Sequence, residues 1–406
     1  MAARPAVSPA RRAAYEVVLR VFEDDAYADR VLTTAAAGLE TRDRALAQQI
    51  AFGTVQRVRA LDYGIETLGR RPVRKLDPPV RAALRIGAYQ LGYLGGVPAH
   101  AAVNESVELV RAARLERAVA FTNAVMRRLS EGLKALLDAL EEGPLKHSYP
   151  DWIYEVWRRD WGEEEALALM RAQNEAPETV VRLIRGEIAG QATDVPGAYR
   201  VDRVDEQALA EGRIWPQSRG SQLAALAVGS HRGERVLDCC AAPGGKATML
   251  AGDVVAVELH EGRARELDEN ARRLGASNVQ VVHADALALP EELSGFDRAL
   301  VDAPCSGLGV LAGRPDLRWR ARPLPELQLA LVQAAAARVK PGGTVLYSVC
   351  TLNSDENEDV VDAAGLAVDD LGTEWPRFRH PKRPEFLLTS PHRHRTSGFF
   401  IARLRR

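Results

Sequence analysis

"ERVLDCCAAPGGKAT", residues 234–248, is an apolar run of strand length that ends in an acid, Asp238, and passes into a turn with two adjacent glycines. Similar runs follow at DVVAVELH (253–260), VQVVHAD (279–285), FDRALVDAP (296–304) and GTVLYSVC (343–350), and EGRARELDENARRLGA (261–276) has helical spacing between the second and third. Short apolar runs alternating with helices predict a parallel sheet covered on both faces, an α/β Rossmann-like domain. In such sheets ligands bind beyond the carboxyl ends of the strands, near the reversal of strand order. The polar residues to collect are therefore Asp238 with AAPGGK (241–246), Glu258, Asp285, Asp302 with Cys305, and Cys350.

The turn is not a nucleoside-triphosphate loop. Cys240 stands where the first glycine of that motif is required, and Ala247, not Ser or Thr, follows Lys246. Nor does it carry the G-x-G-x-x-G dinucleotide pattern. What remains is a turn whose glycines, Gly244 and Gly245, allow close approach of a ligand to the backbone. Glu258 ends the second strand, where an acid can accept both ribose hydroxyls, and Asp285 ends the third. Jointly they outline an adenosine-bearing ligand with a charged amino-acid end, S-adenosylmethionine rather than NAD.

Of the four cysteines, Cys239 and Cys240 lie in an apolar run and read as small buried hydrophobes. Cys305 and Cys350 each stand where the chain leaves a strand, facing the same ligand region. A thiolate can add to C6 of a pyrimidine and make C5 carbanion-like, able to accept a methyl group. The acids Asp355, Glu356, Glu358 and Asp359 read as the first turn of a helix capped by Ser354, so no metal is expected. The cysteine spacing fits neither a zinc site nor a disulfide framework.

Upstream, residues 8 to about 140 show only helical periodicity. SPARRAAYEVVLRVF offers Ser8 as N-cap, and LDPPVRAALRIGAYQLGYLGG offers Asp77. EEGPLKHSYP (141–150) reads as a linker, and 151–225 as a small α+β module with strands at TVVRLI and AYRVDRV. The expected division is 1–140, 141–225 and 226–406. At 406 residues the chain is too long for one core. Residues 1–130 carry 20 Lys and Arg against 13 Asp and Glu, within a chain whose formal net charge is -1. A locally basic domain suits a polyanion. No apolar stretch of about 18 residues offers a membrane span, and the start lacks a secretory signal, so a cytoplasmic protein with no membrane partner is expected.

At LDCCAAPGGKAT, VDAPCSGLGVLAGRPDLRW, YSVCTLNSDENE and PHRHRTSGFFIARL the chain resembles the RNA cytosine-5 methyltransferases of the NOL1/NOP2/Sun family. RDRALAQQIAFGTVQR, LDPPVRAALRIGAYQLGYL and VPAHAAVNESVELVR are similar to the NusB-type helical RNA-binding domain. The resemblance implies a multidomain protein: an all-α NusB-like bundle, a small α+β module and a class I methyltransferase domain. It implies a nucleophile at Cys350, with Cys305 helping to remove the C5 proton and release the product. Cofactor contacts carry over to Cys240, Ala241, Ala242, Pro243, Gly244, Gly245, Lys246, Glu258, Arg263, Asp285 and Asp302, and Lys246 and Asp302 are also placed against the cytosine. The implied partner is 16S ribosomal RNA, not DNA, because DNA enzymes use only the cysteine of the Pro-Cys motif. A monomer is expected. A tRNA-modifying relative would keep the same catalytic residues, and a non-enzymatic RNA-binding or antitermination factor would not need them. The chain departs from the family in a shortened segment after Lys246 (ATMLAG), in PQSRGSQ (216–222) and at Ser397.

Overall fold

The computed structural model describes residues 7–406. The chain forms two compact units: one comprises the residues up to Asn174 together with Leu311–Arg320, the other Glu175–Val310 and Ala321–Arg406.

The first unit is helical. Helices α1 (Pro9–Glu23), α2 (Ala28–Ala35), α3 (Thr41–Gly69), α4 (Pro78–Gly92), α5 (Ala99–Ala112) and α6 (Glu116–Asp138) pack around one core rich in Val, Leu and Ala. Small residues let helices approach closely: a Cβ added at Gly53 of α3 would meet the Tyr89 ring of α4 at 2.1 Å. Ser8 and Asp77 occupy the expected N-cap positions, but neither side chain caps its helix. The Ser8 hydroxyl instead donates to Glu105, 2.8 Å away. Two further helices, α7 (Asp151–Trp161) and α8 (Glu163–Ala172), complete this part of the chain.

Leu311–Arg320 belongs to the same unit although more than a hundred residues of the other unit precede it. Its buried Arg318 donates to the carbonyls of Gln56 (3.1 Å) and Gln173 (2.9 Å), and its guanidinium lies 3.8 Å from the Tyr149 ring centre. Trp319 Nε1 donates to Val55 O at 2.7 Å, and the Leu311 amide donates to Gln173 Oε1 at 2.9 Å.

The second unit holds two sheets. Strands β1 (Val180–Leu183), β2 (Gln191–Ala192), β3 (Ala198–Arg200) and β4 (Ile214–Pro216) form a small antiparallel sheet in the order β2-β3-β1-β4. Helix α9 (Arg219–Ala227) leads into the large sheet. That sheet contains β5 (Arg235–Asp238), β6 (Asp253–Glu258), β7 (Val279–His283), β8 (Phe296–Asp302), β9 (Val339–Val349), β10 (Ala367–Asp369), β11 (Leu387–Thr389) and β12 (Phe399–Arg405). Its order is β10-β12-β9-β8-β5-β6-β7, with β11 also on β12. The strands from β7 to β9 are parallel, and β12 is antiparallel to β9, β10 and β11. Helices α10 (Glu261–Leu274) and α11 (Pro325–Arg338) serve as crossovers. The chain runs outward from β5 to β7 and returns to β8, so the switch in strand order falls between β5 and β8, which end in Asp238 and Asp302.

The reading of Ser354 as a helix cap is corrected here. Ser354–Glu356 is a single 3-10 turn capped by Asn353, whose side chain accepts from the Asp355 amide at 3.2 Å, and the following helix begins only at Glu358. The competing signal was the Asn before Ser354, an equally good cap.

Candidate active site

The parallel pairing of β8 with β9 sets Asp302 opposite Ser348. Three residues beyond Asp302 lies Cys305, and two beyond Ser348 lies Cys350, so the ladder itself delivers both thiols to one place. Their sulfurs are 3.4 Å apart, and both residues remain partly exposed. The S–H of Cys305 and the nearby Lys246 ammonium hold the Cys350 thiol below its ordinary pKa, against its burial and the charge of Asp302. Cys305 is pushed up by the same sulfur–sulfur hydrogen bond, by burial, and by the charges of Cys350 and Glu356. Of the pair, Cys350 is thus the cysteine that gives up its proton more readily.

Asp302 is held from two sides. Lys246 Nζ lies 2.6 Å from its Oδ2 and the Ser348 hydroxyl donates to its Oδ1 at 2.8 Å. The Lys246 ammonium also sits 5.2 Å from the centre of the Phe399 ring.

Beside this group is the glycine turn. The Cys239 amide bonds the Leu300 carbonyl and the Ala241 amide the Val257 carbonyl, both at 2.9 Å, which ties the turn to the ends of β8 and β6. Gly244 has φ +104°, a backbone conformation that side chains rarely adopt. Asp238 is buried, accepts from the Cys240 amide through Oδ1 at 3.3 Å, and its Oδ2 has no hydrogen-bond partner. Burial, then the neighbouring charge of Asp302, pushes its carboxyl up to about 7. Glu258 is also buried and accepts from the His260 amide at 2.9 Å. Arg263 stands 3.6 Å from Glu258 and donates to the Ala242 carbonyl at 2.9 Å, joining that acid to the turn. Asp285 does end near β7, but it is exposed and its Oδ1 caps the following turn through the Leu287 amide at 2.9 Å.

An unpaired buried carboxyl oxygen at the switch point, with Glu258 and Asp302 near it, leaves a need for positive charge that Lys246 beside Asp302 and Arg263 beside Glu258 meet only in part. A ligand bearing a sulfonium and an ammonium fits that donor set.

Several residues of the site lie outside the motifs. Arg182 on β1 is buried, and its guanidinium donates to Gly245 O at 2.9 Å and Thr248 Oγ1 at 2.8 Å. It braces the shortened segment after Lys246, which makes only a 3-10 turn at Ala247–Met249 and so leaves carbonyls for a side chain to satisfy. Gln328 lies outside them too, whereas Ser348 and Glu356 lie within YSVCTLNSDENE, where the motif singles out only the cysteine. A polar residue in the apolar run VLYSV was the one available signal, and it pointed to Ser348.

With this geometry in hand, comparison with known proteins is informative. Residues 225–405 match the family described as 16S rRNA methyltransferase RsmB/F, and residues 8–131 match the NusB family. The chain is 33% identical to the probable ribosomal RNA small subunit methyltransferase B of Synechocystis sp., over 98% of this chain and 99% of that protein. It is 30% identical to the protein of the same description from Bacillus subtilis, over 98% of each. Among solved structures, a methyltransferase homolog from Pyrococcus horikoshii aligns at TM-score 0.56 and 28% identity, covering 67% of this chain and 99% of that one. The chain belongs to the RsmB/F family of ribosomal RNA small subunit methyltransferases, with a NusB-family helical region ahead of the methyltransferase fold.

Proposed function

We propose that this methyltransferase modifies C5 of a cytosine in 16S ribosomal RNA through a covalent adduct between Cys350 and C6 of the base. The observation that carries the reading is the pair of sulfurs 3.4 Å apart beside the Lys246–Asp302 ion pair.

S-adenosylmethionine, when bound, supplies an electrophilic methyl group. The residues to hold it are the backbone of Cys240 through Lys246, with Glu258, Arg263, Asp285 and Asp302. The chain's own residues do the rest. The Cys350 thiolate adds to C6, and the electron pair of the C5–C6 double bond is pushed toward C5. Asp302, fixed by Lys246 and Ser348, holds the polar edge of the base, which must be unstacked to reach the thiols. After methylation C5 carries both a methyl group and a proton. A base removes that proton, the C5–C6 double bond re-forms, and Cys350 leaves as a thiolate.

Cys305 is suited to be that base at that stage only. Before attack, the neighbouring thiolate holds its proton on. Once Cys350 has become a neutral thioether that repulsion is gone, and Cys305 can give its proton to solvent and accept the one from C5. The order of the two ionisations is set by the covalent chemistry itself.

The test is site mapping. Protein and S-adenosylmethionine should produce 5-methylcytosine at one position of unmodified 16S rRNA, read by bisulfite sequencing. Modification confined to tRNA would move the substrate, and modification of neither RNA would overturn the reading.

A further inference from the structure

Glu356 lies in the acidic run 355–359, where sequence suggests a solvated helix start. Its side chain is instead fully buried. Oε1 accepts from the Ser306 amide at 2.9 Å, from Gln328 Nε2 at 2.9 Å and from the Leu324 amide at 3.2 Å, and Oε2 accepts from the Ser306 hydroxyl. Every one of these donors is neutral. A buried carboxylate is unfavourable unless its lone pairs are satisfied, and an apolar side chain would fill the same space at less cost.

What these bonds hold is specific. Gln328 Nε2 donates also to Pro304 O at 2.9 Å. The two peptide groups flanking Cys305, the Pro304 carbonyl and the Ser306 amide, are therefore both fixed by the Glu356–Gln328 pair. The loop after β9 is tied to the same point. The Ser306 hydroxyl lies 2.8 Å from Thr351 Oγ1, the Gly309 amide donates to Cys350 O at 2.9 Å, and the Tyr347 hydroxyl donates to the backbone carbonyl of Glu356 at 2.6 Å. None of these bonds involves the glycine turn or Glu258.

We propose that Glu356 is a positioning residue, whose buried carboxylate fixes the Cys305 loop against the Cys350 loop and so sets the separation of the two sulfurs. The proposal deepens the reading of those cysteines as the reacting pair and rests on it. Glu356 touches neither sulfur; it acts through Ser306 and Gln328.

Glu356→Gln tests this with little change of shape, since it replaces one acceptor oxygen with an amide that faces donors. Its affinity for S-adenosylmethionine should stay within about twofold of wild type, because the cofactor residues are untouched. Its single-turnover methylation should fall by roughly tenfold to a hundredfold, as expected for a displacement on the order of 1 Å between reacting groups. The deciding readout uses neither RNA nor cofactor. Iodoacetamide alkylation of Cys350, followed by peptide mass spectrometry across pH, should shift its midpoint up by about one unit as the bond from Cys305 weakens. A merely structural glutamate would lower the melting temperature and leave that profile alone.

A wild-type alkylation profile in Glu356→Gln overturns the proposal. If that variant does not fold, Ser306→Ala, which removes the bridging hydroxyl, carries the same expectation and the same refutation. If wild-type protein alkylates as expected but methylates no cytosine, the reaction has been misread, and the alkylation shift still decides the positioning role on its own.

Discussion

The guanidinium of Arg182, on the small antiparallel sheet, donates to the carbonyl of Gly245 in the glycine turn at 2.9 Å. The accessory sheet is thereby part of the glycine turn's support. Arg182→Ala should weaken S-adenosylmethionine by about tenfold, the loss of one or two hydrogen bonds from a charged donor. Titration calorimetry on ligand-free protein reads this directly, and wild-type affinity in the variant would show that the turn holds its shape unaided.

Asp238 gives a pH dependence. Its carboxyl stands at about 7 in the folded chain, against 3.8 ordinarily. The native protein thus keeps a proton that the unfolded chain releases. The stability tied to that proton is fully present below about pH 4 and is lost as pH rises through 7. A cationic ligand at the switch point favours the ionised form, so affinity for S-adenosylmethionine should rise with pH across the same window, with release of a proton. Calorimetry in buffers of different ionisation enthalpy measures that release. Asp238→Asn should abolish it, and undiminished release would assign the proton to Asp302, Glu258, Lys246 or Cys240, the other groups around the turn.

The two cysteines should fail differently. On the proposed mechanism the Cys305→Ala variant should still add Cys350 to C6 and methylate C5 of the base, but it would lack the group that takes the C5 proton, so protein and RNA should remain linked on a denaturing gel. Cys350→Ala and the double variant should show no such band. A band in Cys350→Ala and none in Cys305→Ala would exchange the roles.

Arg318 should matter to the helical unit. Arg318→Met removes donors to the carbonyls of Gln56 and Gln173 and the contact with Tyr149. Losing these bonds from a buried charged donor should cost about 2 to 4 kcal/mol. Denaturant unfolding followed by circular dichroism checks it, and an unchanged midpoint would mean that water replaces the guanidinium.

How much of this was legible before the structure depended on the kind of signal. Strands β5 to β9 announce themselves as apolar runs, and each of the acids Asp238, Glu258 and Asp302 closes one. The period of the pattern therefore supplied both the sheet and the positions of its polar ends. The pairing of Cys305 with Cys350 followed from the same rule. Arg182, Gln328 and Glu356 did not, because their partners lie 63, 24 and 50 residues away and nothing local marks them as buried. Glu356 in particular shares a run with Asp355, Glu358 and Asp359, and full burial distinguishes it only once the chain is folded. The segment LAGRPDLRWR is rich in charge and turn formers, and nothing local marks Arg318 in it as one of the most deeply buried side chains.

That segment has a consequence for how the protein is made. A helical region at the start of a chain would ordinarily finish folding as soon as it leaves the ribosome. Here the seat for Trp319 and Arg318, between Val55, Gln56, Tyr149 and Gln173, stays open until residue 320 has been synthesised. For the time needed to translate nearly 150 further residues, roughly seven to thirty seconds at bacterial rates, the nascent bundle carries an unfilled groove. Of the two units, the one translated earlier is completed only after much of the other has been made.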